Sequence, residues 1–183
     1  MLASTQLVLY ASLAYCVHRN FSSIAQSDGI SFYGVTPTTL PVLSIGFLSA
    51  TGGLVFVGRS LAHQQCARWF VNGIFLEAVG FPLLLLTPYN QGALLNWAHM
   101  TVGVTMALTS FALSISLLPG RHVARSLPVV TQFAGGVLAA CSLPDWHVHE
   151  LFQGEVILLV GFGVALFFGL DSPPPPRVRS RAT

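Results

Sequence analysis

The sequence predicts an all-α fold, a polytopic membrane helix bundle of six transmembrane helices with both termini cytoplasmic. Three observations predict it: an apolar composition, the sorting of apolar residues into runs of spanning length, and a one-sided distribution of arginine. Of 183 residues, 53% are hydrophobic and only 8% charged, and the mean hydropathy is +0.70. Soluble domains carry roughly 25% charged residues, so this chain belongs in hydrocarbon.

The runs are residues 2–17, 40–57, 69–87, 94–118, 127–143 and 151–170. Each approaches the length that crosses about 30 Å of hydrocarbon at about 1.5 Å per residue. Backbone amides in lipid are satisfied only within the segment, so each run reads as a helix. Pro37, Pro41 and Pro128 suit helix starts, and Pro82 predicts a kink. Gly135 and Gly136 permit close helix contact. The first run lacks a preceding basic residue, and Tyr15 stands where a lipoprotein box before Cys16 wants a small residue. It therefore reads as an uncleaved helix. No internal repeat suggests an inverted-repeat transporter.

The eight basic residues are all arginine. Arg59, Arg68, Arg121, Arg125, Arg177, Arg179 and Arg181 fall on one side of the predicted spans and Arg19 on the other. Retention of positive charge in the cytoplasm puts both termini inside. The net charge of +2 gives no reason to expect nucleic acid; anionic headgroups are the partners the cytoplasmic arginines suit. Residues 172–183 form a tail in which Pro173 to Pro176 cannot continue a helix and favour an extended stalk. Residues 1–171 make the transmembrane domain.

The opposite side carries residues 19–39 and the loop "DWHVHE". In extended backbone Asp145, His147 and His149 share one face, with Glu150 adjacent. Imidazole and carboxylate at that spacing can ligate Zn, Cu or Ni; polar surface, with Trp146 as an interfacial anchor, is the plainer reading. Cys16 and Cys141 fall on this side, where a disulfide and two free thiols are both open.

Counting depth at about 1.5 Å per residue places Glu77 near the midplane of the third span. Gln132 and Thr105 come out at a similar height, while His99 and Glu155 lie about 8 to 10 Å towards the outside, where they can meet. A carboxylate at the bilayer centre costs about 2.5 to 3.5 kcal/mol. Glu77 must be neutral, paired or wet. A protonated Glu77 donating to Gln132 or Thr105 is one reading; a proton relay, a ligand contact in a cavity and a general acid are the others. Catalytic candidates are Glu77, His99 and Glu155; ligand-binding candidates are Glu77, Thr105, Gln132, His99 and Asp28.

The stretch "DGISFYGVTPTTLPVLSIGFL" at residues 28–48, "GFP" at Gly80 to Pro82 and "HMTVG" at His99 to Gly103 resemble small bacterial multi-pass membrane families of uncharacterised function. They are similar, more distantly, to the six-helix damage-regulated autophagy modulator family. The resemblance implies a six-helix bundle associated with membrane or lipid homeostasis, without an established catalytic centre. Asp28, Ser31, Gly34, Pro37 and His99 match the pattern, which implies an outer cap near His99. Glu77 and the DWHVHE loop fall outside it.

The function expected is that of an integral membrane protein of the cell membrane. It binds or organises lipid or another hydrophobic small molecule, without enzymatic chemistry and without a cofactor. The alternatives are a membrane-embedded enzyme acting on an isoprenoid or lipid with Glu77 as general acid, and a small proton-coupled carrier. No GxSxG, HExxH or phosphate-cradling glycine loop supports the enzyme.

Overall fold

The structure is a computed structural model that describes residues 1–118, 123–142 and 148–170. Eight helices make up the described residues: α1 (Leu2–Asn20), α2 (Ser23–Asp28), α3 (Ser31–Val35), α4 (Leu40–His63), α5 (Arg68–Leu86), α6 (Ala93–Ser116), α7 (Val123–Ala140) and α8 (Leu151–Leu170). The fold is all-α. Four helices, α4, α5, α6 and α8, are long and apolar enough to cross a membrane. The apolar part of α7, Ser126–Ala140, is shorter, and α1 is diluted by Thr5, Gln6, Ser12 and His18. Large apolar side chains cover the outer faces: Leu7, Phe56, Leu108, Phe133 and Phe167 are all exposed. A surface of that kind suits lipid.

Glycines let these helices approach one another, as expected where packing rather than hydrophobicity joins helices in lipid. α1 runs antiparallel to α4. A methyl on Gly46 would come within 2.8 Å of Ser12 Cβ, and Gly53, two turns on, lies against Thr5. α5 and α6 are antiparallel too, with Gly73 under Leu113 and Gly80 under Met106. The tightest contact is between α7 and α8, where backbone meets backbone. A methyl on Gly135 would lie 2.7 Å from Gly154 O, and one on Gly161 2.8 Å from Pro128 O. Gly136 makes only ordinary contact with Leu158, at 3.6 Å. The first and last helices also touch, so the chain closes on itself.

Two proline expectations meet different outcomes. Pro128 lies inside α7, not at its start; the helix begins five residues earlier, at Val123. Pro82 lies within α5, which continues through it to Leu86. Lacking an N–H, Pro82 leaves the carbonyl four residues earlier, on Ala78, without its helical donor. Thr51 on α4 supplies one instead: its Oγ1 donates to Ala78 O at 3.1 Å. Stranding a buried carbonyl costs about 1 to 3 kcal/mol. Thr51→Val is therefore expected to destabilise the protein by that amount, and Pro82→Ala to recover most of it. A double-mutant cycle read by unfolding in micelles checks this, and additive single effects would remove the link.

Residues 19–39 contain two short helices where the sequence reading had a loop. Ser22 starts α2 with its Oγ accepting from Ala25 N at 3.2 Å. Gly29 ends it at φ 74°, in the left-handed region that suits glycine. α2 packs on α8 and α3 on α4, so the pair forms a cap across one end of the bundle. That end also holds the start of α6 and the Thr87 end of α5.

Candidate functional site

The capped end gathers three of the predicted residues. Glu155, one turn into α8, accepts the Ile30 N–H at 2.6 Å through Oε2. Its carboxylate fills the space that a side chain at residue 29 would occupy, a second reason for glycine there. His99 on α6 meets the next cap residue: Ser31 Oγ lies 2.5 Å from His99 Nε2. The other ring nitrogen, Nδ1, lies 2.7 Å from Thr87 O. A carbonyl only accepts, so Nδ1 carries the proton and Nε2 is the acceptor for the Ser31 hydroxyl. His99 and Glu155 thus come together through Ile30 and Ser31.

Asp28 closes the same end. Tyr89, in the turn between α5 and α6, donates its hydroxyl to Asp28 Oδ2 at 2.7 Å. Burial raises the Tyr89 hydroxyl well above the ordinary tyrosine value, and the hydrogen bond and charge of Asp28 raise it further. A phenolate there would face a carboxylate, so the proton stays and the bond is held. Asn20 Nδ2 donates to Thr38 Oγ1 at 2.8 Å and ties the entry of the cap to its exit.

A second cluster lies inside the bundle between α5, α6 and α7. Glu77 is 2% exposed, Ser110 2%, Ser114 1% and Gln132 1%. Gln132 Nε2 donates to Ser110 Oγ at 2.8 Å, and the Glu77 carboxyl lies beside the Ser110 backbone. Among the described residues Glu77 Oε1, Gln132 Oε1 and Ser114 Oγ have no hydrogen-bond partner. Ser114 is one turn beyond Ser110 on the same face.

Thr105, expected as a partner of Glu77, is exposed and donates its hydroxyl to Thr101 O at 2.7 Å on its own helix. Depth counting gave its height but not its bearing. Met106 faces inward against Gly80, and its neighbour in sequence is turned about 100° away. Ser110, which takes the place assigned to Thr105, lies one turn beyond Met106. An i, i+4 pair of serines in line with Met106 was the available signal. Glu77 and His99 do not share a site, since His99 lies about 16 Å along α6 from Ser110.

Of the four candidate metal ligands, Asp145 and His147 lie outside the described residues, as do Trp146 and the tail. His149 is exposed, and the Glu150 amide donates to Ser142 Oγ at 3.1 Å. Among the described residues no three His, Cys, Asp or Glu side chains group as a metal site. Cys16, Cys66 and Cys141 are free thiols, and Cys16 Sγ lies 3.8 Å from Thr39 O.

Away from the cap, α1 and α8 diverge and leave a cavity of about 280 Å³. Leu2, Ala3, Gln6, Tyr10, Val164, Phe167 and Phe168 line it, and the surface they present to it is almost wholly apolar. The Tyr10 hydroxyl donates to Leu159 O at 3.1 Å. No family model, curated protein or solved structure matches the chain.

Proposed function

We propose that the protein is a six-span integral protein of the cell membrane that holds a lipid or another hydrophobic small molecule in the cleft between α1 and α8. The cleft carries the reading. About 280 Å³ is just under the usual range of about 300 to 1,000 Å³ for ligand pockets, a size for one acyl chain with Gln6 and Tyr10 beside it. α1 and α7 complete the six spans, because each is packed antiparallel along a spanning neighbour by close glycine contacts. Both termini are cytoplasmic: Arg59 and Arg68 flank the α4–α5 turn, at the end away from the cap, and five of the other arginines follow the same side in sequence. Those arginines suit anionic headgroups, and the bound lipid's headgroup would lie on that side. A part in membrane or lipid homeostasis, as the sequence resemblance implies, follows from the same reading.

The test is to fill the cleft. Ala3→Trp and Val164→Trp, purified in mild detergent and weighed intact by native mass spectrometry, should retain about tenfold less co-purified lipid, equivalent to about 1.4 kcal/mol. Unchanged lipid occupancy in both variants would remove the cleft as the binding site.

A further inference from the structure

We propose that Ser31 and His99 form a nucleophile–base pair that cleaves an acyl ester of a lipid at the capped face of the membrane. The site is separate from the α1–α8 cleft and does not depend on it.

The hydroxyls of Ser27, Ser110 and Ser116 bond a carbonyl three or four residues back on their own helix. That is how a serine in a helix ordinarily satisfies itself. Ser31 is the first residue of α3, with no carbonyl of its own helix behind it, and directs its hydroxyl to the His99 imidazole at 2.5 Å. The ring is held in the tautomer a general base needs, its Nδ1–H fixed on Thr87 O at 2.7 Å. Nucleophile, base and orienting acceptor thus stand in hydrogen-bond order, the arrangement that activates a hydroxyl. Docking the cap does not require this contact: Glu155 on Ile30, Tyr89 on Asp28 and Asn20 on Thr38 already hold it.

Depth selects the substrate. His99 lies six residues into α6, about 9 Å from its start. The 24 residues of α6 span about 36 Å and overreach the roughly 30 Å hydrocarbon core. Trp97, two residues before His99, is 70% exposed, as an interfacial anchor is. With about 3 Å of α6 beyond the core at each end, Ser31 and His99 stand about 6 Å inside the hydrocarbon, just below the level of a glycerolipid's ester carbonyls. Both side chains are only half-buried, so a carbonyl can reach them.

The step balances with water as the second reactant. Ser31 Oγ attacks the ester carbonyl carbon as its proton passes to His99 Nε2. The carbon–alkoxy bond breaks, the alcohol leaves with that proton, and an acyl group remains on Ser31. Water then attacks the acyl carbon, giving a proton to Nε2, and collapse returns it to Ser31 Oγ and frees the fatty acid. Thr87 O holds the Nδ1–H throughout and its dipole favours the transient imidazolium.

The full chain in phosphatidylcholine nanodiscs is treated with a fluorophosphonate, which Ser31 would attack with loss of fluoride, and the modified residue is mapped by peptide mass. An adduct on Ser31 in the wild type, slowed at least tenfold by His99→Gln and kept by Ser27→Ala, is the expected result. Fatty acid release from the phosphatidylcholine should fall in parallel. Ser31→Ala should show neither the adduct nor the release, and if it does not fold the His99→Gln comparison decides. No adduct on Ser31, or one formed equally fast without His99, would overturn the proposal and leave the contact as a strut of the cap.

Discussion

Gly135→Leu is expected to prise α7 from α8 and to lower stability by about 3 kcal/mol, the upper end of what overpacking costs. A Cβ there would stand 2.5 Å from Leu158 N and 2.7 Å from Gly154 O. Both are backbone atoms of α8 and cannot swing aside as a side-chain tip does. The neighbouring contacts compound the effect, since Gly154 and Gly161 meet Ala139, Pro128 and Gln132 along the same seam. Gly103→Ala is the matched control: nothing lies within 4 Å of its Cβ position. It should leave stability unchanged or raise it by up to about 1 kcal/mol through helix propensity. Unfolding in micelles by SDS titration reads both, and equal stability of the two variants would remove the seam.

Part of that seam was legible before any coordinates. The paired glycines at 135 and 136 signal close approach, although the sequence does not say which of the two meets the partner. Runs of apolar residues gave the helices within a few residues at their ends; α4 and α1 ran on beyond expectation because polar residues such as Ser60 and His18 continue a helix once it has left hydrocarbon. The cap was less legible. Its helices have six and five residues, too short for a periodic apolar face. Their hold on the bundle comes from Asp28, Ile30 and Ser31 meeting residues that lie 61, 125 and 68 positions away. Such pairing is tertiary and leaves no local pattern.

The second large effect concerns the buried acid. Glu77→Lys sets a cation among Ser110, Ser114 and Gln132, each at most 2% exposed, and is expected to cost about 2.5 to 3.5 kcal/mol. Glu77→Gln keeps the shape and removes only the ionisable proton, so it should stay within about 1 kcal/mol of the parent. Folded yield and thermal unfolding in micelles give the comparison. If Glu77→Gln assembles and retains bound lipid with all activity, a proton relay or general acid at Glu77 is excluded. If it fails as badly as Glu77→Lys, the carboxyl itself holds α5, α6 and α7 together. Depth counting found Glu77 and Gln132 at one height, since rise per residue is nearly constant. It missed Ser110 because rise along the axis carries no bearing about it, and the Ser110 and Ser114 pair that marks the inward face was not used.

The bond from Thr51 to the Ala78 carbonyl has a consequence for biogenesis. Until it forms, α5 carries an unmet acceptor in a helix bound for hydrocarbon. α4 precedes α5 in the chain, and only residues 64–67 separate the two. The donor is therefore already made when the proline-containing helix leaves the ribosome. α4 and α5 should enter the bilayer as one hairpin, the proline masked as it arrives.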